Sequence, residues 1–371
     1  MNSPILTMLS FLIIFTVVVV SHEFGHYLLA RLNGIRVKEF SVGMGPALFR
    51  KKGKMTELVI RLLPIGGACI YEGEPGEEAE LGQIQNKDAE EEAEDAVRDD
   101  LAGKSFNEAP VWGRIAAVVA GPLFNIILAY LLALIMVWFS AEDLPVIANV
   151  MEGYPAVEAG MEAGDVITSI DGYKVHLYRE AAIKSYMNNG KSMKITYARN
   201  GQEYECTIMP KYDEEAGRYF IGFSGPGDYT ECNNLKVFSY SWYEVRYMLM
   251  ATWDSLLYMV SGHASVDNLA GPVGVANVID DTIEASAPHG AMMVMINLLN
   301  IAILLSVNLG ILNLLPVPAL DGGRLLFLLF EAISGKRVPP EKEGIVHLIG
   351  FVLLMVLMVV VLFNDISRFF R

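Results

Sequence analysis

The sequence predicts a polytopic α-helical membrane protein of about four spans, with a cytoplasmic β-element and an inserted α+β domain. Three observations carry that prediction. The 371 residues are 53% hydrophobic and only 19% charged, with a mean hydropathy of +0.37, too apolar for an ordinary soluble chain. Apolar runs long enough to cross a bilayer lie at 5–30, 112–139, 291–315 and 346–363. Between the second and third runs, residues 145–212 have the apolar spacing, glycine punctuation and Asn-Gly turn of a compact folded unit.

The first run reads as a retained span and not as a signal peptide, because Met1-Asn2-Ser3-Pro4 has no basic residue and no small-residue cleavage site follows. At its end stands Ser21-His22-Glu23-Phe24-Gly25-His26-Tyr27. On a helix, His22 and His26 share one face, so both imidazoles reach a single metal. Glu23 is placed beside them to take a proton from a water that the metal activates. Ionisable groups at the end of a span are costly and point to function. Three fixed positions also arise by chance, so the motif requires a third ligand from elsewhere.

Arg31, Arg36, Lys38, Arg50, Lys51, Lys52 and Lys54 follow the first run. By the positive-inside rule this loop is cytoplasmic, which puts residues 140–290 outside and 317–345 inside. Val37–Tyr71 reads as short strands, with apolar residues interrupted by Pro64 and the Gly66-Gly67 pair. Residues 72–108 are densely acidic and read as a solvated segment with no specific role.

Within 145–212, Lys194–Ile208 reads as a hairpin turning at Asn200-Gly201. Residues 235–262 mix Tyr240, Trp242, Tyr247 and Trp253 with Glu244, Arg246 and Asp254, an amphipathic helix suited to the membrane interface or to the soluble unit. Leu269–Ala276 reads as a glycine-proline re-entry before the third span.

The third run ends in Asn313-Leu314-Leu315-Pro316-Val317-Pro318-Ala319-Leu320-Asp321-Gly322-Gly323. Two prolines so close together stop a helix, and irregular backbone at this depth must be buried or line a wet cavity. Asp321 is the carboxylate that completes a His-His-Asp zinc site with an open fourth position. It also fits as a plain cap for a helix starting at Gly322.

His22-Glu23-x-x-His26, Gly121-Pro122-Leu123-Phe124-Asn125 and Asn313-x-x-Pro316-x-Pro318-x-Leu320-Asp321-Gly322 together resemble the site-2 protease family of intramembrane zinc metalloproteases. Gly153–Gly172 resembles a PDZ domain in circularly permuted form, and one such insert matches the bacterial sigma-factor-regulator branch. The resemblance implies Zn2+ at His22, His26 and Asp321, with Glu23 as general base and acid. Asn313 and Asn125 are candidate amide donors to the tetrahedral intermediate, or else interhelical hydrogen-bonding residues. The resemblance also implies a membrane-associated β-element, whose Gly66-Gly67-Ala68-Cys69-Ile70 edge receives an unwound substrate as an added strand. Expected partners are the lipid bilayer, transmembrane substrates such as a trimmed anti-sigma factor or a remnant signal peptide, and an extracytoplasmic peptide for the PDZ-like domain. The expected location is the bacterial cell membrane, with the active site towards the cytoplasm. The alternative is an idle scaffold that presents the PDZ-like domain.

The expected domains are 1–139, a first membrane core; 145–212, the PDZ-like unit; 235–290, the amphipathic and re-entry segment; and 291–371, a second membrane core. A net charge of −15 with no basic stripe argues against nucleic acid. Cys69, Cys206 and Cys232 make no metal or disulfide framework. His176, His263, His289 and His347 read as surface or packing residues.

Overall fold

The computed structural model of the chain describes residues 4–53, 55–73, 103–214, 216–232, 234–262 and 271–368. The acidic run at 90–95, His263, Leu269 and Ala270 lie outside them. The chain divides into two compact units, Met1–Ala129 with Val266–Arg371, and Tyr130–Ser265.

In the first unit, helix α1 (Pro4–Leu32) buries Ser10, Ile14, Val18, His22, His26 and Ala30. These residues mostly recur every fourth position, so the apolar packing face and the histidine face are one stripe. The opposite side, with Ile5, Leu9, Ile13 and Val17, is exposed, as a lipid-facing helix surface would be.

Strands β1 (Val37–Lys52) and β2 (Glu57–Tyr71) are long and bent. Residues 39–42 of β1 pair on one side with 67–70 of β2 and on the other with 57–60, and residues 57–60 pair again with 49–52. Two strands therefore make a four-segment mixed sheet, in which 39–42 and 57–60 run side by side in the same direction and the other neighbours are antiparallel, with 67–70 as an outer segment. The folding back needs left-handed backbone at Gly43, Gly45 and Gly66, whose φ angles are +90°, +88° and +84°.

Helix α2 (Val111–Phe139) carries Pro122 in its interior. It crosses α1 where a β-carbon on Gly25 would overlap the Ala120 carbonyl, the close approach that small residues permit between spans.

The second unit opens with β3 (Ala141–Asp143), β4 (Asn149–Val150) and the short helix α3 (Pro155–Glu158). Next come β5 (Val166–Ile170), β6 (Tyr173–Lys174), helix α4 (Tyr178–Met187), β7 (Met193–Arg199) and β8 (Gln202–Ile208). The central antiparallel sheet has the order β6-β5-β7-β8. The β7–β8 turn uses Asn200 and Gly201, both at positive φ (51° and 78°), as a type I′ hairpin requires.

The domain runs further than residue 212. Strands β9 (Lys211–Asp213), β10 (Arg218–Phe220), β11 (Phe223–Ser224) and β12 (Tyr229–Glu231) follow, with β11 pairing to β4 and β12 to β3. Ile221 joins Ile147, Ala156, Ile167, Ile195 and Ile208 in one core. The expected boundary fell short because these strands are two or three residues long and separated by glycines, too brief to show a period. The result is an α+β PDZ-like domain.

Helix α5 (Lys236–Val260) is amphipathic as expected. It buries Val237, Ser241, Glu244, Val245 and Met248 and exposes Trp242, Trp253 and Leu257. It clusters with the PDZ-like domain, joined to α4 by Lys184 Nζ and Asp254 Oδ2 at 2.6 Å. Cys206 and Cys232 are free thiols.

Back in the first unit, helix α6 (Pro272–Ser286) occupies most of the segment read as a re-entry. Gly271-Pro272 begins a helix here, since proline is well suited to the first turn. Helices α7 (Ala291–Leu314), α8 (Asp321–Ser334) and α9 (Pro340–Arg368) complete the chain. Among the described residues, four helices are long and apolar enough to span a membrane: Pro4–Leu32, Val111–Phe139, Ala291–Leu314 and Glu341–Asp365.

Candidate metal centre

Helix α1 supplies two groups one turn apart, and α8 supplies the third from its first residue. The Nε2 atoms of His22 and His26 are 3.1 Å apart. Asp321 Oδ2 stands 3.1 Å from His22 Nε2 and 3.3 Å from His26 Nε2. Both imidazoles are buried, and Asp321 Oδ2 is buried with no hydrogen-bond donor of its own.

The tautomer of His26 explains why these atoms converge. Its Nδ1 lies 2.8 Å from the Ala117 carbonyl oxygen, which only accepts, so Nδ1 carries the proton and Nε2 of the neutral ring is bare. A bare imidazole nitrogen, a second imidazole nitrogen and a carboxylate oxygen therefore share one point. With both Nε2 atoms bare, the three groups repel one another unless a cation lies between them. Tetrahedral zinc with bonds of about 2.0–2.1 Å spaces its ligand atoms about 3.3 Å apart, close to the spacing found. The residues fit zinc.

The break after α7 brings Asp321 to this point, and α9 braces the break. The Ala319 N–H donates to His347 Nδ1 at 2.9 Å, and Gly350 abuts Pro318 so closely that a β-carbon would overlap it. His347 therefore holds the loop that ends at Asp321, a more specific contact than the surface or packing role expected of it. The available signal was an ionisable residue inside an apolar run. Asp321 is the first residue of α8, but its carboxylate is directed to the histidines, so the plain-cap alternative fails.

Glu23 follows His22 and faces β2. The Cys69 backbone N–H donates to its carboxylate, and Gly67 packs against its side chain. The outer segment at Gly66, Gly67, Ala68, Cys69 and Ile70 therefore faces Glu23. Its Cys69 donor is engaged by Glu23, so it is not a vacant edge at that residue. Asn313 Nδ2 lies 3.4 Å from His22 Nε2, on the metal side of the ring.

Asn125 is elsewhere. It is fully buried, and its amide nitrogen is 3.5 Å from Nδ1 of His22, the side turned away from the metal point. Asn125 therefore meets the opposite side of the His22 ring from Asn313, away from the side where the expected substrate contact would form.

Comparison with known proteins agrees with this chemistry. The pattern that defines peptidase family M50 matches residues 10–357. A zinc metalloprotease RasP from Shouchella clausii is 33% identical over 98% of this chain and 99% of its own length. The regulator of sigma-W protease RasP from Bacillus subtilis is 32% identical over the same shares. The solved PDZ domain of an SdrC-like protein from Listeria monocytogenes is 25% identical, covering 22% of this chain and 86% of that domain at a TM-score of 0.21.

Proposed function

Since the chain belongs to peptidase family M50 and is a zinc metalloprotease of the membrane, we propose that it cuts single-pass membrane proteins within or beside their spans. The observation that carries this reading is the triangle of His22 Nε2, His26 Nε2 and Asp321 Oδ2, with edges of 3.1, 3.1 and 3.3 Å, built on helices of a membrane core.

Zinc held by His22, His26 and Asp321 supplies a Lewis acid that brings the pKa of a water down to about 7 and polarises the scissile carbonyl. Glu23 is the general base that takes the proton of the attacking water and returns it to the leaving amine. The Cys69 N–H and the Gly67 backbone fix the Glu23 carboxylate, which limits the search for a productive geometry. The Asn313 amide donates to the oxygen on which negative charge develops.

A helical substrate hides its carbonyls in its own hydrogen bonds and must unwind first. Residues 66–70 receive the unwound segment along the outer edge of the sheet, with the Cys69 N–H kept on Glu23. The PDZ-like domain takes an extended peptide beside β11, which among the described residues pairs with β4 alone. The name of the Bacillus subtilis relative supports a substrate that restrains a sigma factor; remnant signal peptides fit the same chemistry. The basic residues after α1 support a cytoplasmic position for the active site and an outer position for the PDZ-like domain in the cell membrane.

The test is Glu23→Gln in purified full-length protein. It is expected to retain one zinc per chain and lose cleavage of a single-pass test substrate by about 10²–10⁴. Full cleavage by this variant would overturn the mechanism.

A further inference from the structure

We propose that Asn125 is the positioning residue of His22. With its side-chain amide turned Oδ1-first, it accepts the proton on His22 Nδ1 and so fixes Nε2 as the metal-facing nitrogen. The proposal rests on the reading that His22, His26 and Asp321 hold zinc.

A ligating imidazole offers a lone pair from one nitrogen and carries its proton on the other, and that proton needs an acceptor. For His26 the acceptor is the Ala117 carbonyl, at 2.8 Å. For His22, Nε2 belongs to the triangle, so the proton is on Nδ1. Among the described residues, the polar contact at this nitrogen is the Asn125 amide, at 3.5 Å.

Two defects meet there. The amide presents its NH2 group to a nitrogen that must itself donate, and 3.5 Å is longer than the ~2.7–3.2 Å of a hydrogen bond. Meanwhile Asn125 Oδ1 is buried with no hydrogen-bond partner. Turning the amide by a half rotation exchanges oxygen and nitrogen with almost no change in shape; it aims that oxygen at the Nδ1 proton, and a shift of about 0.3 Å closes the 3.5 Å contact to a hydrogen bond.

The backbone is held for this task. The carbonyl oxygen of Asn125 accepts from Ser306 Oγ of α7 at 2.8 Å. Gly310 lets α7 close over the residue, since a β-carbon there would come to 3.5 Å from Asn125 Cβ and 3.0 Å from the Pro122 carbonyl oxygen. The amide is thus sealed behind the ring, where neither substrate nor bulk water competes for it.

Zinc affinity in full-length, detergent-solubilised protein tests the proposal by chelator competition, without reference to activity. Asn125→Leu, which removes the acceptor, is expected to weaken zinc binding by about 10–100-fold. Asn125→Asp, which keeps an oxygen in place, is expected to stay within about threefold of wild type or bind more tightly. If the leucine variant does not fold, Asn125→Ala removes the same acceptor without added bulk and is judged by the same expectation. Wild-type zinc affinity in the acceptor-free variant would overturn the proposal. That result with lower kcat would restore a substrate role, and with lower stability of the metal-free protein alone a packing role. Asp321→Ala is the control: if it too binds zinc like wild type, the three-ligand reading itself fails.

Discussion

A β-carbon on Gly67 would stand 2.9 Å from Cγ of Glu23, inside the distance that real β-carbons keep. The same atom would lie 3.0 Å from the Ser41 carbonyl oxygen, so the strand cannot retreat without disturbing its own ladder. Only glycine lets β2 come this close to Glu23, and the approach is what allows the Cys69 N–H to reach its carboxylate.

Gly67→Ala therefore displaces Glu23 or the strand while leaving His22, His26 and Asp321 intact. The expected outcome is a fall in kcat of at least about tenfold, equivalent to about 1.4 kcal/mol of transition-state stabilisation. Zinc content should stay at the wild-type value. Cleavage assays paired with metal analysis check this, and wild-type kcat would show that the close approach has no catalytic consequence.

Gly121→Ala acts on the metal instead of the base. Gly121 on α2 lies against the His26 ring, and a β-carbon there would overlap the imidazole at Nε2 and its neighbouring carbons. Two packed helices cannot absorb such an overlap by a small shift, so His26 must leave the triangle. The variant is expected to lose zinc along with all cleavage, in contrast to Gly67→Ala. Stoichiometric zinc in Gly121→Ala would contradict the packing described.

The contrast between those two glycines shows what the sequence made legible. The spacing of His22 and His26 and the break from Pro316 to Asp321 are local signals: one needs only the pitch of a helix, the other only the chemistry of proline. The positions of Gly67 and Gly121 depend on which segments come to lie against α1, and no local period encodes that. The same holds for the sheet, where β1 and β2 each pair twice because glycines at positive φ bend them, so the alternation expected of straight strands is lost. Asn125 was noticed as a polar residue in a span, yet its side of the His22 ring is a matter of helix rotation and not of spacing.

The glycine-proline stretch before α6 gains a physical account from Asp365. The Oδ2 of this residue on α9 accepts the Gly274 N–H at 2.9 Å, and a β-carbon on Gly271 would press on the same carboxylate at 2.7 Å. A carboxylate at a helix N-terminus satisfies a free N–H and complements the helix dipole. Asp365→Ala is expected to cost about 1 kcal/mol of stability, as loss of a cap does, and Asp365→Asn to recover part of it. Thermal unfolding of the full chain checks this. An unchanged midpoint in the alanine variant would rule out a capping contribution.

In the PDZ-like domain, Arg179 of α4 is surrounded by three carboxylates. Its Nη2 lies 3.1 Å from Glu142, 2.7 Å from Asp143 and 3.0 Å from Glu244, and its guanidinium sits over the Tyr247 ring. One cation cannot neutralise three buried anions. Burial, with Glu142 and Asp143 adding to it against Arg179, pushes the Glu244 carboxyl well above the usual range, while burial and Glu142 hold the neighbouring Cys232 thiol up at about 11. A carboxyl with a raised folded-state pKa binds its proton more tightly folded than unfolded. Stability is therefore greatest below the unfolded value near 4.5 and falls as pH rises from there through the folded value, by up to about 1.4 kcal/mol per pH unit. Glu244→Gln, neutral at every pH, is expected to flatten that fall between pH 5 and pH 8. Arg179→Leu leaves the carboxylates uncompensated and is expected to cost towards the lower end of about 3–5 kcal/mol, because the arginine is 30% exposed. The loss should shrink in the double variant, since one anion is then gone. Unfolding midpoints of the full chain across this pH range decide the matter: parallel curves for wild type and Glu244→Gln would mean that Glu244 is ionised throughout.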